Sequence, residues 1–83
     1  MSVYDRLRDK LITNTSASIK MSFAEIEILI GRSLPKSAYD YDAWWANEDP
    51  ATTAHSHSRA WTTAGYAAEV QRTQRMVTFR LNP

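Results

Sequence analysis

The sequence predicts a small α+β fold in one domain that spans residues 1–83. A chain of 83 residues is long enough for one hydrophobic core and too short for two. Apolar residues recur every three or four positions in the N-terminal half, which indicates helices, and every second position near the C-terminus, which indicates strands. Helices followed by a C-terminal pair of strands favour an α+β arrangement.

The N-terminal part is predicted to hold a helix followed by a short strand. Val3, Leu7 and Leu11 repeat at a spacing of four residues and give an amphipathic helix over 3–13. Residues 18–21 alternate polar and apolar side chains, a pattern typical of a strand.

A second helix is predicted to begin at a capping box formed by Ser22 and Glu25. Gly31 is suited to the left-handed position that ends it. After a tight connection, Pro35 or Ser37 opens a short third helix, so the chain has two closely spaced helices after a helix and a strand. This order predicts the first part of a winged helix-turn-helix.

The C-terminal half is predicted to contain a loop, a short helix and a hairpin. Residues 47–54 carry turn-forming residues without periodicity, and a helical stretch over 57–64 ends at Gly65. We expect His57 and Ser58 to cap that helix. Residues 66–71 and 76–81 form the hairpin strands, which would be the wing of a winged-helix-like domain.

Charge is segregated along the chain although the formal net charge is only +1. Residues 1–36 sum to +2, residues 37–54 to −4 and residues 55–83 to +3. The C-terminal charge comes entirely from arginine, whose planar fork can engage a phosphate or a base with two hydrogen bonds. We therefore predict a nucleic-acid-binding surface, for DNA in the first place, that uses four arginines: Arg59, Arg72, Arg75 and Arg80. The alternative is that these arginines are solvated side chains that discourage edge pairing.

The three tryptophans lie in two short stretches around residues 44–45 and 61. If residues 44–45 are extended, Trp44 and Trp45 point in opposite directions, so one could join the core while the other stacks on a base or packs on a partner. All three could instead be core residues, and Trp61, close to Gly65, is the one that we expect in the core.

Residues 40–49, which we call the acidic segment, offer a second functional hypothesis, a module that binds another protein. Such a segment could mimic phosphates and inhibit a protein that processes nucleic acid. Its contact residues would be Asp40, Asp42, Glu48 and Asp49.

Composition and spacing argue against several other classes. The chain has no cysteine, which removes disulfides and thiolate chemistry and favours a cytoplasmic protein. The charged N-terminal residues predict neither a signal peptide nor a membrane span. His55 and His57 lack a third suitably spaced ligand, so we expect no metal and no cofactor. No nucleophile elbow is present, so we predict no catalytic residues and no enzyme activity.

The assembled motifs resemble those of a family of short bacterial and phage proteins known only as a domain of unknown function. They run across nearly the whole chain: FAEIE from Phe23, LPKSA from Leu34, AWWAN from Ala43, SRAW from Ser58, AGY from Ala64 and VTF from Val77. The resemblance implies one compact domain and implies no activity. Where the family pattern has basic residues before the AWW motif, this chain has Asp40 and Asp42.

Overall fold

The computed structural model describes residues 2–82, which form four helices and the three strands of one sheet. Two 3-10 turns, at Asp42–Trp45 and Arg72–Gln74, complete the secondary structure. The helices and strands follow in the order α1 (Asp5–Thr13), β1 (Ser18–Ser22), α2 (Phe23–Ile30), α3 (Lys36–Asp40), α4 (Ser56–Thr62), β2 (Tyr66–Gln71) and β3 (Met76–Leu81). The predicted α+β fold is confirmed.

The sheet is antiparallel and has the strand order β1-β3-β2. The predicted hairpin of β2 and β3 is present, and β1 pairs along the other edge of β3, with Met21 opposite Val77. Because side chains alternate between the faces of a sheet, one face carries Met21, Val77 and Phe79, which are buried under the helices. Thr78 and Arg80 point to the other face, as the period of two predicts.

The ends of α2 follow the predicted local chemistry. The Glu25 amide donates to the Ser22 hydroxyl at 3.0 Å, and the Ser22 amide donates to the Glu25 carboxylate at 2.8 Å. These bonds lower the pKa of Glu25, with the bond from the Ser22 backbone contributing most. Gly31 ends the helix with φ of 79°, in the left-handed region that favours glycine.

The N-terminus of α4 differs from the prediction. His55 is the N-cap residue, and no side chain caps the helix, so the predicted capping by His57 and Ser58 is wrong. Ser58 is fully buried, and its hydroxyl donates to the Ala46 carbonyl at 3.1 Å and accepts from the Glu48 amide at 3.2 Å. The hydroxyl therefore fixes the segment that leads away from the tryptophan pair to the first turn of α4.

Candidate functional site

Trp45 and Trp61 are core residues. Trp45 stacks on Phe23 with ring centroids 5.0 Å apart, and its indole N–H donates to the Ala38 carbonyl at 2.9 Å. Trp61 is fully buried, and its indole N–H donates to the Asn47 side-chain oxygen at 2.9 Å. Both buried N–H groups are satisfied, as large amphipathic aromatics require. The expectation for Trp61 is confirmed.

Trp44 is half-buried, and its backbone is not extended. The pair lies in the 3-10 turn Asp42–Trp45, so its side chains are not related by the alternation of a strand. One face of Trp44 is covered by the His57 imidazole, nearly parallel to it at 7° with centroids 4.0 Å apart. Trp45 is thus the core member of the pair, and Trp44 is the partly accessible one.

Asn47 is a structural residue that the sequence pattern did not single out. Its side chain pairs with the backbone of Ala68 in the edge strand β2, accepting from the amide at 2.7 Å and donating to the carbonyl at 3.1 Å. The same oxygen accepts the indole N–H of Trp61. One amide therefore links the loop, the sheet edge and the core, and the only sequence signal was its position after the tryptophan pair.

A groove of about 240 Å³ lies between α1 and α4, and we call it the arginine groove. Arg8 of α1 and Arg59 of α4 both line it, and Arg8 is held by Asp5 at 3.6 Å and Asp9 at 3.2 Å. Within residues 2–82, Arg59 has no carboxylate within 4 Å. The other lining residues are Ser2, Asp5, Ser56, Ala60 and Thr63. With two arginines and one aspartate, the formal charge of its lining is +1.

The hairpin arginines differ in their partners. Arg72 pairs with Asp42, and Arg80 pairs with Glu69 of the neighbouring strand. Arg75 adopts a left-handed φ of 53° in the hairpin turn, and its guanidinium lies 5.3 Å from the centre of the Tyr39 ring. Of the hairpin arginines, Arg75 alone has no carboxylate within 4 Å among the described residues. Within residues 2–82, no hydrogen bond or ion pair joins Arg59 to the hairpin arginines.

Most of the acidic segment is engaged within the domain. The Lys36 ammonium lies 3.8 Å from the Asp40 carboxylate, and Asp42 pairs with Arg72. Asp49 accepts the Ala51 amide at 2.9 Å, which closes a turn. The charges of Asp40 and Asp42 are therefore compensated locally.

A second concave site, of about 280 Å³, separates α3 from the start of α4, and we call it the aromatic cleft. Its lining consists of Ser37, Tyr41, Ala43, Trp44, Glu48, His55 and His57. The Glu48 carboxylate accepts from Thr53 at 3.0 Å and lies 2.7 Å from His55 Nδ1. Hydrogen bonds from His55 and then Thr53 lower the pKa of Glu48, whereas burial lowers the pKa of His57.

Two further observations bear on the classes considered from the sequence. No group of three or more histidine, aspartate or glutamate residues within residues 2–82 is arranged to hold a metal ion. In the same range, no helix has the length and apolar character needed to cross a membrane.

The chain belongs to a protein family described as a domain of unknown function (DUF7662), whose model matches residues 4–82. No curated protein and no solved structure matches the chain. The match covers the arginine groove except for Ser2, and all of the aromatic cleft and the hairpin.

Proposed function

We propose that this domain binds nucleic acid, with duplex DNA as the preferred form, in the manner of a winged helix. The support from the fold is the order of elements: α4 directly precedes the β2–β3 hairpin, and β1 closes the sheet against β3. In helix-turn-helix proteins, a recognition helix enters the major groove while neighbouring elements contact the backbone. Here α4 would be the recognition helix and the hairpin would be the wing.

The observation that carries the proposal is the arginine groove. Arg59 lies on the exposed side of α4 with Ser56 and Thr63, at spacings of three and four residues that place them on one helix face. Arg8 lines the groove from α1, but Asp5 and Asp9 already offset its charge, so Arg59 is the main cation of the groove. Guanidinium and hydroxyl groups are the usual protein contacts to phosphate oxygens, and a lining with net positive charge attracts them.

The arginines proposed as contacts differ in how much charge each can bring to a complex. Arg72 and Arg80 would have to exchange a carboxylate for a phosphate, so each brings little net charge to a complex. Arg59 and Arg75 have no carboxylate partner in the described part of the chain and would contribute more. Trp44 could stack on a base only with the part of its ring that His57 leaves uncovered.

The test is fluorescence anisotropy with labelled duplex and single-stranded oligonucleotides at low salt. We expect micromolar affinity, and Arg59→Ala should weaken binding about tenfold because it removes a charged contact. Arg80→Ala is the matched control, since it removes an exposed arginine whose charge Glu69 already offsets. Equal binding by wild type and Arg59→Ala, with unchanged circular dichroism, would contradict the proposal.

Our second proposal is a protein-interaction module based on the acidic segment. The specific observation in its favour is that Glu48, unlike Asp40 and Asp42, lines a concave site. Reversal of Glu48 to Lys should abolish capture of a basic partner while leaving the Arg59-dependent binding to DNA in place. Unchanged capture by that variant would count against this second function.

A further inference from the structure

We propose that the aromatic cleft binds a basic side chain, arginine or lysine, presented by a protein partner. This site is separate from the arginine groove, because none of its lining residues belongs to that groove. The inference rests on the second proposed function and gives the acidic segment a defined ligand chemistry. Trp44 is the residue that the cleft shares with the proposed nucleic-acid contacts.

The walls of the cleft suit an organic cation. Tyr41 is 63% exposed, and its hydroxyl makes no hydrogen bond within residues 2–82, so its ring is available to a ligand. Trp44 is half-buried beside it and is held in place by His57 on one face and by the edge-on contact with Trp45, 4.6 Å between centroids. Aromatic rings attract ammonium and guanidinium groups through their negative faces, and tryptophan does so most strongly.

The cleft also contains a carboxylate with spare capacity. Both hydrogen bonds to Glu48 involve Oε1, from the Thr53 hydroxyl and His55 Nδ1, and Oε2 has no hydrogen bond in the described structure. The side chain is 38% exposed, so a ligand can reach it. A guanidinium or ammonium group would donate a charge-assisted hydrogen bond to the free oxygen.

The charge around the cleft favours a cation over a phosphate. Residues 37–54 contain four acidic residues and no basic ones. Asp40 and Asp42 are paired with Lys36 and Arg72, and Glu48 is the carboxylate that lines the cleft. A phosphate that approaches the cleft would therefore meet the Glu48 carboxylate, whereas a basic side chain would be attracted to it.

The experiment is an NMR titration that follows the indole N–H signal of Trp44 and the backbone amides of Glu48 and His57. The probes are the N-acetyl methylamides of arginine and lysine, with the citrulline derivative as a neutral control of nearly the same shape. We expect saturable chemical-shift changes with the two cations and little response to citrulline. The affinity should be millimolar, because a single side chain makes few contacts. Tetramethylammonium tests whether a free cation without hydrogen-bond donors binds as well.

Three variants locate the binding energy. Glu48→Gln should weaken arginine binding about tenfold, and Tyr41→Ala about two- to fivefold. Asp49→Asn is the matched control: it removes a charge from the adjacent residue, which does not line the cleft, and it keeps the oxygen that closes the turn. It should leave the affinity within about twofold of wild type, because an exposed charge outside the site is screened.

Several results would overturn the proposal. Equal losses of arginine affinity in Glu48→Gln and Asp49→Asn would show that the cation responds to the overall charge of the segment and not to a contact with Glu48. Citrulline binding as tightly as arginine would show that the positive charge is irrelevant. Tighter binding of tetramethylammonium than of either amino-acid derivative would assign the cleft to a small free cation. Shifts of the same signals by nucleosides, and not by the cations, would place the cleft in the nucleic-acid surface. None of these results depends on whether Arg59→Ala alters DNA binding.

Discussion

Replacement of Asn47 by Ala should destabilise the domain by more than its surface position suggests. The substitution removes two hydrogen bonds to Ala68 in the edge strand and the acceptor of the Trp61 indole N–H. Each lost bond to Ala68 is worth about 1 kcal/mol, and an orphaned donor on a buried ring costs about 1–3 kcal/mol, which together give about 3–5 kcal/mol. Water that reaches the vacated position recovers part of this loss. We expect a loss of about 2–4 kcal/mol in the free energy of unfolding.

Urea denaturation followed by tryptophan fluorescence measures this loss in the free energy of unfolding. In a domain of this size, the same loss should lower the melting temperature by roughly 10–25 °C. Asn82→Ala is the control, since Asn82 is exposed and its side chain makes no hydrogen bond among residues 2–82. A change below about 0.5 kcal/mol, the usual effect of a surface substitution, would refute the role given to Asn47.

Three other predictions follow from packing, backbone geometry and protonation. Trp45→Ala should cost about 3–5 kcal/mol as a core deletion, and Trp44→Ala clearly less, which paired denaturation curves would show; equal costs would contradict their different burial. Gly31→Ala should cost about 1–2 kcal/mol, because the added Cβ makes an ordinary contact with Arg6 Nη1 at 3.9 Å and only the positive φ is strained; a neutral or stabilising result in the same assay would be inconsistent with that backbone. Burial lowers the pKa of His57 below its ordinary value of 6.5, so the folded state disfavours its protonation. Its contribution to stability is complete above that value and is lost as the pH falls towards the folded-state pKa; a His57→Gln variant with an unchanged pH profile of stability would be evidence against it.

The local features of this fold could be predicted from the sequence because neighbouring residues determine them. The capping box of Ser22 and Glu25 and the left-handed Gly31 are matters of a few consecutive residues. The alternation in Met76–Leu81 places Val77 and Phe79 on the buried face of β3, whereas Leu81, at the end of the same face, is 50% exposed.

The contacts that could not be predicted join residues far apart in the chain. Arg72 lies 30 positions after Asp42, and no periodicity indicates that the hairpin turn folds back against the acidic segment. Asn47 reaches Ala68 across 21 positions. The arrangement of Trp44 also escaped prediction, since a 3-10 turn of four residues is too short to leave a repeating pattern. The sequence therefore shows which residue types are present, but only the structure shows which of them meet in the arginine groove and in the aromatic cleft.

The salt dependence of DNA binding tests the central claim most directly. Each phosphate neutralised on duplex DNA contributes a slope of about −0.9 to log K against log salt. With two to four arginines engaged, the wild-type slope should be roughly −2 to −4. Arg59→Ala should flatten that slope by about one, and Arg80→Ala should leave it nearly unchanged. A slope near zero in the wild type, or identical slopes in the wild type and Arg59→Ala, would contradict a phosphate-binding role for the arginine groove.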